Sequence, residues 1–163
     1  MLQYLPRETQ VLIFNGNNIN IVPNNVFGQV DDHLNLVVVD FSNNHINEIT
    51  GKAFHLVNSV EVLILNHNNL QISGNPHPRL LTNFDNLKEL HLTNAFSELV
   101  DSEYYLEDLA NIFMQANDED RERKSIKKIH LEQNEIWYVF LNILSCTLPA
   151  EVAQYPESIL APK

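Results

Sequence analysis

The chain repeats a single pattern of apolar residues and asparagine, and this repetition restricts the folds open to it. The pattern reads L-x-x-L-x-L-x-x-N-x-L, with other apolar residues, or once a threonine, at some of the leucine positions. Four copies place their asparagine at Asn17, Asn44, Asn68 and Asn134, and a weaker copy has Ala95 at that position. Successive copies are 27, 24, 27 and 39 residues apart. Such a period predicts a stack of similar units, because no single copy can bury its own apolar face.

This pattern is that of the leucine-rich repeat, in which each position has a structural role. The apolar residues of L-x-L lie on the inner face of a short strand, and the residues between them face solvent. The asparagine amide both donates and accepts hydrogen bonds, so it can satisfy backbone groups in the following turn. We therefore predict an α/β fold: a leucine-rich repeat solenoid of about five turns, with a curved parallel sheet and an irregular and helical convex side.

The repeats divide the chain into five predicted segments. Residues 1–8 are interpreted as the remnant of an N-terminal cap, and residues 9–97 as leucine-rich repeats 1 to 4. Apolar residues recur at helical spacing in the next segment, which predicts a helical insertion and charged linker at 98–125. Residues 126–140 are predicted to form repeat 5, and residues 141–163 an irregular tail.

Ala95 makes the fourth copy an exception. An alanine side chain cannot supply the amide contacts, so we expect nearby backbone groups to lose hydrogen bonds worth about 1 kcal/mol each. Asn94 could substitute from one position earlier through a locally altered turn. A regular turn at Ala95 in which every neighbouring amide is satisfied would contradict this expectation.

The composition excludes several classes of function. Ten basic residues against 21 acidic ones give a net charge of −11, which repels phosphate backbones, so we expect no nucleic-acid partner. The four glycines form no phosphate-binding loop, which argues against a nucleotide cofactor. The single cysteine, Cys146, has no catalytic signature around it, and no paired carboxylates stand out. We therefore predict that the protein is not an enzyme and needs no cofactor.

The first residues contain neither the basic segment nor the apolar run of a signal peptide. The most apolar stretch, residues 136–144, is too short to cross a bilayer, so we expect no membrane span within this chain. No Asn-x-Ser/Thr glycosylation acceptor occurs. Two interpretations remain open: a soluble chain in a reducing compartment, or an internal piece of a longer secreted protein.

The strand register also identifies the side chains that face outward from the predicted sheet. Valine and isoleucine dominate at the N-terminal end, and histidine and charged residues at the C-terminal end. Because contiguous exposed apolar area often marks an interface, we predict that this face binds a protein ligand or receptor. The alternative is that the valines only favour strand formation and are covered by a missing N-terminal cap. The candidate partner-binding residues are Val11, Ile13, Val38, Asp40, Val62, Ile64, His67, Glu89, His91, Lys128, His130 and Glu132.

Two histidines, His91 and His130, occupy equivalent positions on adjacent predicted strands, so their side chains could meet. A metal site would need a third ligand, and only Glu89 or Glu132 is near. We expect no bound metal, and favour a weak response to pH because histidine titrates close to neutrality.

The chain resembles the leucine-rich repeat region of the trophoblast glycoprotein family, also called Wnt-activated inhibitory factors. The resemblance lies in L-I-L-N-H at 63–67, F-D-N-L-K-E-L-H-L at 84–92, the predicted helix at 104–116 and I-H-L-E-Q-N-E-I at 129–136. It implies a single-pass cell-surface glycoprotein whose ectodomain binds proteins and inhibits Wnt signalling.

Some features of that family are absent here. The cysteines of both caps, the membrane span and the glycosylation acceptors are missing, so we expect a fragment or splice form. The competing hypothesis is an intracellular leucine-rich repeat scaffold or enzyme regulator, which agrees with the single cysteine and the missing signal peptide.

Overall fold

The computed structural model describes residues 2, 4–28, 35–70, 84, 86–97 and 127–134. The predicted helical insertion and linker at 98–125 and the predicted tail at 141–163 lie outside the described residues. So do parts of the predicted repeat segments, including residues 71–83 and 135–140.

Two parallel sheets organise the described residues. A five-stranded main sheet has the strand order β1-β3-β5-β6-β7, and a second sheet pairs β2 with β4. No helix occurs among the described residues, so the parallel sheet of the predicted α/β fold is confirmed there without a helical component. The strands are β1 (Val11–Ile13), β2 (Ile21–Val22), β3 (Val38–Asp40), β4 (Glu48–Ile49), β5 (Val62–Ile64), β6 (Glu89–His91) and β7 (Lys128–His130).

The middle residue of each main-sheet strand points into the core. Because successive side chains of a strand alternate between faces, the first and third residues face the other way. The middle residues are aligned across the sheet by its parallel register. Four of them are buried and the last is partly buried; in strand order they are Leu12, Val39, Leu63, Leu90 and Ile129.

Phenylalanine rings fill much of the core behind the main sheet. Phe54 is fully buried, and its ring lies 5.9 Å from Phe27, 6.3 Å from Phe41 and 5.1 Å from Phe84 between centroids. Phe41 and Phe54 belong to one pattern copy, and Phe27 and Phe84 belong to the copies before and after it, so each copy buries its apolar side chains against its neighbours. Ring contacts of this kind add packing energy to the burial of apolar area.

The asparagine of the pattern connects one turn to the preceding one. The Asn68 Oδ1 atom accepts a hydrogen bond from the Ile46 N–H at 3.0 Å, and its Nδ2 donates to the carbonyls of Phe41 and Leu65 at 3.1 and 2.9 Å. Asn44 makes the equivalent contacts with Ile19, Phe14 and its own turn. The predicted role of the asparagine amide is therefore confirmed at these two positions, where both residues are buried.

The residue before the asparagine position has the same backbone conformation in every copy. All five have a positive φ, between 46° and 71°, which is the left-handed region. Glycine and asparagine tolerate this region best. The five residues are Gly16, Asn43, His67, Asn94 and Gln133.

The expectation for Ala95 was wrong, because the turn around it is regular and its neighbours are satisfied. The Ala95 and Phe96 N–H groups both donate to Asn134 Oδ1, at 2.9 and 3.2 Å. The Ala95 carbonyl accepts a hydrogen bond from the Leu70 N–H at 2.8 Å. The Asn94 side chain does not substitute, since its Nδ2 contacts a ring nitrogen of His67. The asparagine of the following copy and the alanine's own backbone thus provide the hydrogen bonds.

We expect Asn68→Ala to lower the free energy of unfolding by about 2–3 kcal/mol, because it leaves buried backbone groups such as the Ile46 N–H without a hydrogen bond. Urea unfolding followed by circular dichroism measures the change. The matched control is Asn69→Ala, which alters an exposed neighbour and should change stability by less than about 0.5 kcal/mol. Equal effects of the two substitutions would contradict the role given to Asn68.

The reverse substitution, Ala95→Asn, should lower the free energy of unfolding by about 1–3 kcal/mol. Ala95 is fully buried, and the carbonyls of Leu65 and Leu92 already accept hydrogen bonds from Asn68 and Asn134. The added amide would therefore crowd the core without new hydrogen bonds. The same urea measurement applies, and a gain in stability would show that this turn lacks a donor.

Candidate functional site

The first and third residues of the main-sheet strands form one surface, which we name the exposed sheet face. All ten of its residues are among the candidate partner-binding residues predicted from the sequence. The first row contains Val11, Val38, Val62, Glu89 and Lys128. The second row contains Ile13, Asp40, Ile64, His91 and His130.

The apolar end of the exposed sheet face is most accessible on β1. Val11 is 53% exposed and Ile13 is 67% exposed, which is unusual for large apolar side chains on a sheet. The apolar residues that follow in the register are less exposed, since Val38, Val62 and Ile64 are half-buried. The difference arises because β1 is paired on one side only among the described strands. The apolar surface is thus continuous across three strands, with its greatest exposure at one edge.

Asp40 interrupts the apolar end with a carboxylate that is held by its own turn. Its Oδ1 atom accepts hydrogen bonds from the Ser42 backbone N–H at 2.8 Å and from the Ser42 hydroxyl at 2.6 Å. The Ser42 hydroxyl oxygen accepts in turn from Asn15 Nδ2 at 2.7 Å. These contacts give the Asp40 side chain a fixed position on the exposed sheet face.

The polar end is centred on two stacked histidines. The rings of His91 and His130 lie 4.3 Å apart between centroids with an interplanar angle of 14°, so the predicted meeting of these side chains is confirmed. A carboxylate contacts each ring. Glu89 Oε2 lies 3.3 Å from His91 Nε2, and Glu132 Oε1 lies 3.1 Å from His130 Nδ1.

Two further contacts fix the environment of His130. The Thr93 hydroxyl donates to Glu132 Oε2 at 2.9 Å, so one carboxylate links the threonine to the imidazole. The Nε2 atom of His130 is buried and has no hydrogen-bond partner among the described residues. The hydrogen bond from Thr93 to Glu132 was not predicted, although the repeat register places Thr93 beside Glu132 of the following copy.

The remaining predicted residues are less closely associated. His67 is exposed at a turn, where its Nδ1 atom lies 3.2 Å from Asn94 Nδ2, so it belongs to the edge of the exposed sheet face rather than to its two rows. Lys128 is exposed at the start of β7, next to Glu89 in the register. The structure therefore brings Glu89, His91, His130 and Glu132 together and leaves the apolar residues of β1 at the other end of the sheet.

The pKa values of two groups depart from their usual range. Burial and the nearby His130 lower the pKa of His91, against the opposing effect of the Glu89 carboxylate. Burial alone would raise the pKa of Glu132. Hydrogen bonds from its own backbone N–H, from Thr93 and from His130 outweigh this effect and lower the pKa. An uncharged His91 and an ionised Glu132 are therefore favoured, and each of them contacts His130.

No protein-family model matches the chain, and no curated protein matches it. In the part of the chain that the structure describes, no helix is long and apolar enough to cross a membrane.

The His91 pKa predicts how stability depends on pH. A pKa below the ordinary value of 6.5 means that the unfolded chain binds more protons in this range, so stability falls as the pH decreases below about 6.5. The charged groups around the ring are Glu89, Lys128 and His130. Urea unfolding between pH 8 and pH 5 should show a smaller loss for His91→Phe, which keeps an aromatic ring but cannot titrate.

The control for the pH experiment is His45→Phe, which removes an exposed histidine outside the stack. Its stability should fall with decreasing pH as much as that of the unmodified protein. An identical pH profile for His91→Phe and the unmodified protein would show that the stack does not couple to protonation.

Proposed function

We propose that this chain is a leucine-rich repeat solenoid whose exposed sheet face binds a protein partner. The fold is supported by five parallel strands that follow the order of the five pattern copies. It is further supported by asparagine side chains that hydrogen-bond to the preceding turn, as Asn44 and Asn68 do. Stacked repeats commonly present such a sheet as an extended binding surface.

The exposure of Val11 and Ile13 is the observation that carries the proposal. These side chains leave large apolar surfaces in water next to the half-buried Val38, Val62 and Ile64. Such a patch is stabilised when another protein covers it, since apolar area is then removed from water. The net charge of −11 favours a partner with an apolar segment flanked by basic groups.

The family resemblance supplies a more specific form of the proposal. We propose that the protein acts at the cell surface as a negative regulator of Wnt signalling, with the exposed sheet face binding a protein ligand or receptor. The support is that three of the quoted segments, at 63–67, 84–92 and 129–136, each contain residues of a main-sheet strand. Of these strands, β6 and β7 form the polar end of the exposed sheet face, and β5 contributes to its apolar end.

The test compares two substitutions that introduce the same charge at exposed isoleucines. Ile13→Lys lies on the exposed sheet face, whereas Ile21→Lys lies on β2 of the second sheet, where Ile21 is 48% exposed. Labelled full-length protein is titrated onto Wnt-responsive cells and bound protein is measured by flow cytometry. We expect Ile13→Lys to weaken binding at least about 10-fold, because a charge in an apolar contact is costly, and Ile21→Lys to bind normally.

Thermal unfolding establishes that both lysine variants are folded before their binding is compared. Equal binding by the two variants would exclude the exposed sheet face as the interface. A Wnt-dependent transcription reporter in the same cells tests the signalling proposal separately. Reporter output should fall when the protein is added and should recover with Ile13→Lys; a reporter that does not respond to bound protein would exclude Wnt regulation but not protein binding.

A further inference from the structure

Three side chains at the polar end of the exposed sheet face are arranged as metal ligands. Glu89, His91 and His130 each offer one ligand atom, and these atoms all lie within 4.8 Å of one another. The 3.3 Å between His91 Nε2 and Glu89 Oε2 is close to the distance between two ligands of a tetrahedral zinc ion, roughly 3.3 Å. The three residues come from adjacent strands, so the sheet register holds their backbones in place.

The contacts of His130 leave the lone pair of its Nε2 atom available to a metal ion. When Nδ1 donates its proton to Glu132 Oε1, the lone pair is on Nε2, which is the tautomer that binds a metal. This carboxylate is itself held by the Thr93 hydroxyl. Carboxylates commonly orient metal-binding histidines in this way. The Nε2 atom is buried without a hydrogen-bond partner among the described residues, and a metal ion would coordinate its lone pair.

We propose that Glu89, His91 and His130 bind one divalent transition-metal ion, with Zn²⁺ as the preferred ion. Two imidazoles and one carboxylate are a ligand set that zinc accepts, and the fourth position is left for water. From the sequence we expected no bound metal, because a site needs a third ligand and only Glu89 or Glu132 is near the two histidines. The unpartnered Nε2 and the Thr93–Glu132–His130 chain are the observations that change this expectation.

Zinc binding requires the histidine rings to leave their stack. An imidazole binds a metal in its own plane, and two rings only 14° from parallel direct their lone pairs along nearly parallel lines. The His91 ring must therefore rotate relative to His130, which keeps its contact with Glu132, until both nitrogens reach the ion at about 2.0–2.1 Å each. The stacked and metal-bound arrangements exclude each other, so ring rotation is an observable consequence of binding.

The proposed site would stabilise the pairing of β7, the last described strand, with β6. It joins β6 to β7, which are separated by the longest spacing in the pattern, 39 residues. β7 has an exposed first residue and an only partly buried middle residue, Ile129, so it contributes less to the core than the strands before it. Because a metal that closes a long loop offsets part of its closure entropy, zinc should stabilise this end of the sheet most.

The first experiment uses the unmodified full chain, stripped of metal with a chelator. Isothermal titration calorimetry with Zn²⁺ at pH 7.5 should give one strong site per chain, and the thermal midpoint should rise with zinc concentration. Imidazole nitrogen resonances, followed by long-range ¹H–¹⁵N correlation spectra, should shift for His91 and His130 with one equivalent of zinc. Resonances of these two histidines that do not move would overturn the proposal without any variant being needed.

Substitutions then test the ligands and the orienting carboxylate. His130→Gln should weaken zinc binding at least about 10-fold, and Glu132→Gln should weaken it by about 10–100-fold through loss of ligand orientation. The matched control, His45→Gln, removes an exposed histidine elsewhere and should leave zinc binding unchanged. Cys146→Ser should also bind zinc normally. Zinc binding that is unchanged by His130→Gln but lost with Cys146→Ser would assign the ion to a different site and overturn the proposal.

Discussion

The amide group of the repeated asparagine is the interaction on which the rest of the structure depends. Each main-sheet strand is only three residues long, so the strands themselves pair few of the backbone groups in each copy. The carbonyls of Phe41 and Leu65 and the Ile46 N–H lie beyond those strands, and Asn68 hydrogen-bonds to all three. Each of these buried backbone groups would cost about 1–3 kcal/mol if it were left unpaired. The amide therefore allows an apolar core to continue from one turn into the next.

The chain leaves each main-sheet strand through the same backbone conformation, including in the copy that has Ala95 in place of the asparagine. The residue before the asparagine position has a left-handed backbone in all five copies, which turns the chain so that the following apolar residues face the core. Glycine or asparagine occupies three of these positions and His67 a fourth, but Gln133 occupies the last and has no such preference. The turn geometry is therefore imposed by the hydrogen bonds around it rather than by the residue that adopts it.

The strand register could be predicted from the sequence, because the position of each strand relative to its asparagine is constant. The expected loss of hydrogen bonds at Ala95 was wrong because it assumed that each asparagine side chain hydrogen-bonds only within its own turn. In the structure the Oδ1 atom of the asparagine accepts a hydrogen bond from the preceding turn. Asn134 therefore accepts the hydrogen bond of the Ala95 N–H from 39 residues away. The stack of His91 on His130 also follows from register. The unpartnered Nε2 of His130 depends on side-chain rotation and on Thr93, which a one-dimensional pattern does not specify.

Exposure on the sheet face depends on strand position as much as on residue type. Val11 and Val38 are the same residue in the same row, yet Val11 on the edge strand is exposed while Val38, with valines on both sides in the register, is half-buried. The most exposed apolar residues, Val11 and Ile13, and the histidine pair therefore lie near opposite ends of the described sheet. Five parallel strands place those ends roughly 20 Å apart, since neighbouring strands are about 4.8 Å apart. A partner that contacts both ends must itself be extended over this distance, whereas a compact contact would engage only the β1 side and leave the histidines accessible to metal.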